Sequence, residues 1–173
     1  MSAQNDNVLL TQARWGVGNG PTPDDAERAA QRWIAPGYID LQVNGFGGFD
    51  YNRPDLPYTD IASSIRSLYA TGATRFFPAI ITGSPSDMLR SLQNLAAAKR
   101  SLSEGIAIAG FHVEGPHISP DEGPVGAHPR HWVRPPDIDE FRRWQQAADN
   151  QIRMVTIAPE WPGGHTVYRD DCQ

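Results

Sequence analysis

Residues 106–115, IAIAGFHVEG, are apolar or small as far as Phe111 and then alternate His112, Val113 and Glu114 before Gly115. A strand buried on both faces reads this way. His112 and Glu114, two positions apart, fall on one face at its carboxyl end. A carboxylate closing an apolar strand, ahead of the histidine-bearing loop PHISPDEGPVGAHPRHW, has the pattern of a metal ligand or general base. The plain alternative for Glu114 is a solvent-facing side chain that caps a backbone N–H. For His112 it is a hydrogen-bonded core residue. His117, His128 and His131 have the simpler reading of solvated loop side chains, and the spacing of His128 and His131 has no cysteine to strengthen it.

Working outward, SPSDMLRSLQNLAAAKRSLSEG (84–105) predicts a helix with a Ser or Asp cap and Met88, Leu92, Leu95 and Leu102 turned inward. Before it, ATRFFPAIIT (73–82) is a dense apolar strand in which Pro78 removes one ladder donor, so an irregularity is expected there. DIASSIRSLYATG (60–72) predicts a helix with Ile61, Ile65, Leu68 and Tyr69 on one face and Gly72 as its stop. YIDLQVN (38–44) reads as a buried strand ending in the amides Gln42 and Asn44, followed by glycines that suit a turn better than a phosphate cradle. On the other side, PDIDEFRRWQQAADN predicts a helix with Phe141 and Trp144 inward, and QIRMVTIAPE a further strand. A short strand near Val8 to Leu10 and a helix from Pro23 precede all of these. Repeated strand-then-helix steps argue a parallel α/β sheet. Periodicity alone favours an open doubly wound sheet, because a closed barrel needs about eight such units. Polar groups gather at strand carboxyl ends, where parallel α/β folds build their sites.

Composition bounds the partners. The 173 residues carry 39% apolar and 20% charged side chains, within the range of globular domains. A net charge of -5, with no dense basic patch, argues against nucleic acid. No apolar run approaches the roughly 18 residues of a membrane span, and the polar start MSAQNDN is unlike a secretory signal. The lone Cys172 forms no internal disulfide, so a soluble cytoplasmic protein is expected. No Ser or Cys sits on a G-x-S-x-G elbow, which removes the usual α/β-hydrolase chemistry.

IAPGYIDLQVNGFGG, ATRFFPAIITGSP, IAGFHVEGPHISPDEGPVGAHP and RMVTIAPE, in this order and spacing, closely resemble the N-acetylglucosamine-6-phosphate deacetylases of the amidohydrolase superfamily. The resemblance implies a metal-dependent (β/α)8 barrel of which residues 33–160 are the first half, with about four parallel strands and crossover helices. Residues 1–32 stand in place of the family's small β domain, and 161–173 form an irregular tail. It places a metal-binding Glu at Glu114 and sugar contacts at Ala127 and His128. Gln42 and Asn44 match a variant of the superfamily's His-x-His, implying a single-metal site. Amides are poorer zinc ligands than imidazoles, which gives the substitution a physical sense.

The implied reaction is hydrolysis of the acetamide of N-acetylglucosamine-6-phosphate to glucosamine-6-phosphate and acetate. A divalent cation, zinc first, activates the water, and an Asp moves the proton to the leaving amine. That family Asp has no counterpart here, so no catalytic residue is assigned. Gly164-His165-Thr166 echoes the family's motif around a metal-binding His but follows Glu160 too closely, which makes His165 the last of the metal candidates. Half a barrel leaves its outer strands as open edges. The expectation is therefore a deacetylase-family chain inactive alone; the alternative is a subunit or scaffold that pairs with a second copy or a complementary barrel half.

Overall fold

The computed structural model describes residues 36–162. The expected strand near Val8, the helix from Pro23 and the candidate His165 lie outside the described residues. Three of the expected helices form within them. These are α1 (Tyr58–Tyr69), α2 (Pro85–Ser101) and α3 (Ile138–Ala147). Local chemistry starts two of these helices. The Ser84 hydroxyl accepts the Asp87 N–H at the head of α2, with Pro85 in its first turn. The Asp137 carboxylate accepts the N–H groups of Asp139 and Glu140 at the head of α3.

Four strands form one sheet in the order β1 (Tyr38–Val43), β4 (Ala73–Ile81), β5 (Phe111–Glu114) and β6 (Ile152–Thr156). All three pairings are parallel, with a helix crossing between successive strands. This is the partial-barrel architecture implied by the resemblance. Pro78 sits opposite Val43, just beyond a register shift in β1, which agrees with the irregularity expected from its missing donor. The glycine-rich turn after β1 is a small antiparallel hairpin, β2 (Gly45–Phe46) with β3 (Phe49–Asp50).

The helices bury one face of the sheet. Ile61, Ile65 and Leu68 from α1, Met88, Leu92 and Leu95 from α2, and Phe141 and Trp144 from α3 pack with Phe76, Ile80, Ile108, Phe111 and Val113. Each such aliphatic side chain contributes about 1.5–3 kcal/mol when fully buried. No helix among the described residues is long and apolar enough to cross a membrane.

Three details differ from the sequence reading. Strand β1 is exposed along its length except at Val43, because among the described residues it pairs only with β4. Strand β5 is shorter than expected. The chain leaving α2 turns through a 3-10 helix at Ser103–Ala107, and Lys99 donates to the Ile108 carbonyl at 2.5 Å. Ile108 keeps only an isolated parallel bridge to Phe76, and regular pairing begins at Phe111 toward β6 and at His112 toward β4. Tyr69, placed on the apolar face of α1, is exposed at that helix's last residue.

Candidate functional site

Register decides which side chains share a face. Ala79, His112 and Met154 stand abreast on β4, β5 and β6, and Ile81, Glu114 and Thr156 form the next rung. Since Phe111 and Val113 enter the helix-covered core, His112 and Glu114 project from the opposite face.

Glu114 is largely enclosed, with 19% of its side chain exposed. Its Oε1 lies 3.8 Å from His128 Nε2, while its Oε2 is buried and has no hydrogen-bond partner. His128 comes from the loop after β5, and its Nδ1 is 2.9 Å from the buried Thr82 hydroxyl at the end of β4. A carboxylate beside Nε2 favours the proton on that nitrogen, which leaves Nδ1 to accept from Thr82. Gly115 makes this packing feasible. Its φ is +94°, and a Cβ there would fall 2.1 Å from Thr82 Oγ1.

His112 is buried, with Nε2 2.8 Å from Thr156 Oγ1 and Nδ1 lacking a partner in hydrogen-bonding geometry. Burial pushes its imidazole pKa below the ordinary value, against the opposing pull of the Glu114 charge and the Leu41 carbonyl. The structure gives the plainer of the two readings of this residue. It is a core histidine, and it stands beside the strand-end carboxylate.

The loop histidines depart from the solvated expectation. His117 is fully buried, 3.3 Å from Glu140 and tilted against Trp144 at a ring separation of 5.3 Å. His128 is largely enclosed, and only His131 is exposed, against Trp132. Each enclosed ring has a polar neighbour, which makes its burial tolerable.

The remaining candidates are brought less close. Ala127 is exposed beside His128. Gln42 and Asn44 are both exposed, and no hydrogen bond joins their amides to Glu114 among the described residues. Their backbones are pinned nevertheless. The Gln42 N–H donates to Asp40 at 3.1 Å, and the Asn44 carbonyl accepts from Tyr51 N at 3.0 Å.

Asn52 was not singled out from sequence. Its amide donates to the Ala79 carbonyl at 3.2 Å and accepts from Ile81 N at 2.7 Å, fastening the hairpin to the edge of β4. An isolated Asn in a loop carries no signal of such a role. Thr156, which holds His112, was equally silent, whereas Thr82, which holds His128, is one of the polar groups expected at a strand's carboxyl end.

A buried, unpartnered carboxylate oxygen suits a cation. Zinc, however, takes three protein ligands in a catalytic site, and among the described residues no three His, Cys, Asp or Glu side chains form a group able to hold a metal. These residues fit one arm of a metal site and not a complete set.

No protein-family model matches the chain. It is 36% identical over 143 residues to the N-acetylglucosamine-6-phosphate deacetylase of Bacillus subtilis, covering 81% of this chain and 35% of that protein. With the Caenorhabditis elegans protein of the same name it shares 38% identity over 137 residues, covering 75% and 32%. Among solved structures, N-acetyl-D-glucosamine-6-phosphate deacetylase from Mycobacterium smegmatis has a TM-score of 0.67 at 31% identity, covering 87% of this chain and 41% of that one. A mutant of that mycobacterial enzyme has been solved in complex with N-acetyl-D-glucosamine-6-phosphate. The chain spans about a third of the length of the curated relatives it matches, 35% and 32% for these two. Identity at this level on a shared fold makes the chain a homologue of the N-acetylglucosamine-6-phosphate deacetylases across the segment it has in common with them.

Proposed function

We propose that the chain serves hydrolysis of the acetamide of N-acetylglucosamine-6-phosphate, releasing acetate and glucosamine-6-phosphate. In this reading Glu114 is one ligand of a divalent cation, zinc first, and Ala127 and His128 face the sugar. Gln42 and Asn44 stand at the mouth of the site. The observation that carries it is Glu114 Oε2, held out of solvent without a hydrogen bond at the carboxyl end of a parallel strand. Leaving an acceptor unsatisfied there costs about 1–3 kcal/mol, more for a charged group, and a bound cation would offset that cost.

Turnover needs further ligands and a proton-shuttling acid, so the isolated chain is expected to show no appreciable acetate release with zinc supplied. Robust turnover that Glu114→Gln abolishes would overturn that inactivity. The ligand role is tested separately by zinc titration. Glu114→Gln is expected to weaken binding at least about tenfold, since even outer-shell partners of a metal are worth that much. Equal affinity in parent and variant would remove Glu114 from the metal site.

A second reading, a subunit or scaffold that pairs with another copy or with a complementary barrel half, is favoured by β1. Tyr38, Ile39 and Leu41 on this edge strand are 74%, 60% and 52% exposed. An exposed apolar edge is a template for association. Light scattering on the pure chain is expected to give a mass above the 19.1 kDa of one copy. A stable monomer counts against pairing with itself.

A further inference from the structure

His128 sits in the long connection between β5 and α3, whose only regular element is the 3-10 turn Arg130–Trp132. A local turn bond, from the His128 N–H to the Val125 carbonyl at 3.2 Å, shapes the chain at that residue but does not fix the loop over Glu114. Two longer-range side-chain anchors do, and they meet at one carboxylate.

Near the start of the loop, buried His117 places Nε2 3.3 Å from Glu140 Oε2. Near its end, Arg134 grips the same carboxylate with both arms of its fork, Nε to Oε2 at 2.9 Å and Nη2 to Oε1 at 2.7 Å. Arg134 Nη1 also donates to the Gly83 carbonyl at 3.1 Å, and its backbone N–H donates to the Pro116 carbonyl at 3.1 Å. Glu140 itself is buried in the first turn of α3, under the Asp137 cap. The two ends of the loop are thus tied to each other, to α3, and to the residue after Thr82, whose hydroxyl holds His128.

From this we infer that Glu140 is a positioning residue: through Arg134 and His117 it sets the loop that seats His128 against Thr82 and Glu114. Its bearing on deacetylation rests on the role proposed above for His128, whereas its test reads His128 directly. A planar guanidinium spans both carboxylate oxygens with two parallel N–H groups and reaches a carbonyl with a third, a fork that an ammonium, with all its donors on one nitrogen, does not reproduce.

The test is imidazole 15N chemical shifts in the whole chain, with far-UV circular dichroism as the check on folding. Thr82→Val breaks the His128 contact directly and calibrates the displacement. Glu140→Gln is expected to move the His128 shifts in the direction that Thr82→Val does, while the helical signal is retained. If Glu140→Gln does not fold, Arg134→Lys replaces it, with the same displacement expected. A folded Glu140→Gln or Arg134→Lys chain whose His128 shifts stay at their parent values would overturn the inference. Failure of the chain to bind zinc leaves this result standing, so the two readings fail separately.

Discussion

Replacing Gly115 with alanine is expected to lower stability by about 2–5 kcal/mol, through a backbone conformation disfavoured for L-residues and a collision. The glycine lies at φ +94°, and the added methyl would fall 2.1 Å from Thr82 Oγ1, closer than real carbon contacts come. Thr82 is 2% exposed, so its hydroxyl has little room to withdraw, and withdrawing would release His128 Nδ1. One substitution should therefore loosen the fold and the candidate site together. Urea unfolding is the measurement, with the midpoint falling at unchanged slope. An alanine variant as stable as its parent would show that the strand-end turn is not built as described.

The second large effect is acid sensitivity centred on Glu140. Burial pushes its carboxyl pKa up, but hydrogen bonds from His117 and Arg134 and the Arg134 charge outweigh burial and hold it down at about 2, from an ordinary 4.5. The folded state therefore holds this proton less tightly than the unfolded chain does. Its contribution is complete above about pH 4.5 and is lost as the pH falls toward about 2. Melting temperatures between pH 6 and 2 should fall steeply in the parent, and less steeply in Glu140→Gln over the same window. Glu140→Ala is expected to cost about 3 kcal/mol at neutral pH, the lower end for breaking a buried pair, because Arg134 keeps 22% of its side chain exposed. Parallel acid limbs in parent and Glu140→Gln would show that another group governs the transition.

Elements with strong local signals were legible in the residues. Ser84 followed by Pro85 and Asp87 announces α2, and Met88, Leu92 and Leu95 on its inner face are buried as their spacing requires. The strand-end placement of Glu114 was equally readable, because alternation puts it beyond a run that must be buried. Beside these, β1 reads as a buried strand from the same kind of apolar run and is exposed. Burial of a strand depends on what covers it, and a run of Tyr, Ile and Leu does not say which neighbour that is.

The loop after β5 shows the boundary most clearly. Its histidines look alike in sequence, yet His117 enters the core, His128 faces Glu114 and His131 remains outside. The partners that separate them, Glu140, Thr82 and Trp132, lie 23, 46 and 1 positions away. By itself the sequence determined the parallel strand-and-helix order and the acidic strand end, since both follow from periods of two and 3.6 residues along the chain. Which polar side chains meet at that end was decided only by the tertiary structure, because hydrogen bonds between distant segments depend on how strands register and loops are pinned, and no local pattern encodes either.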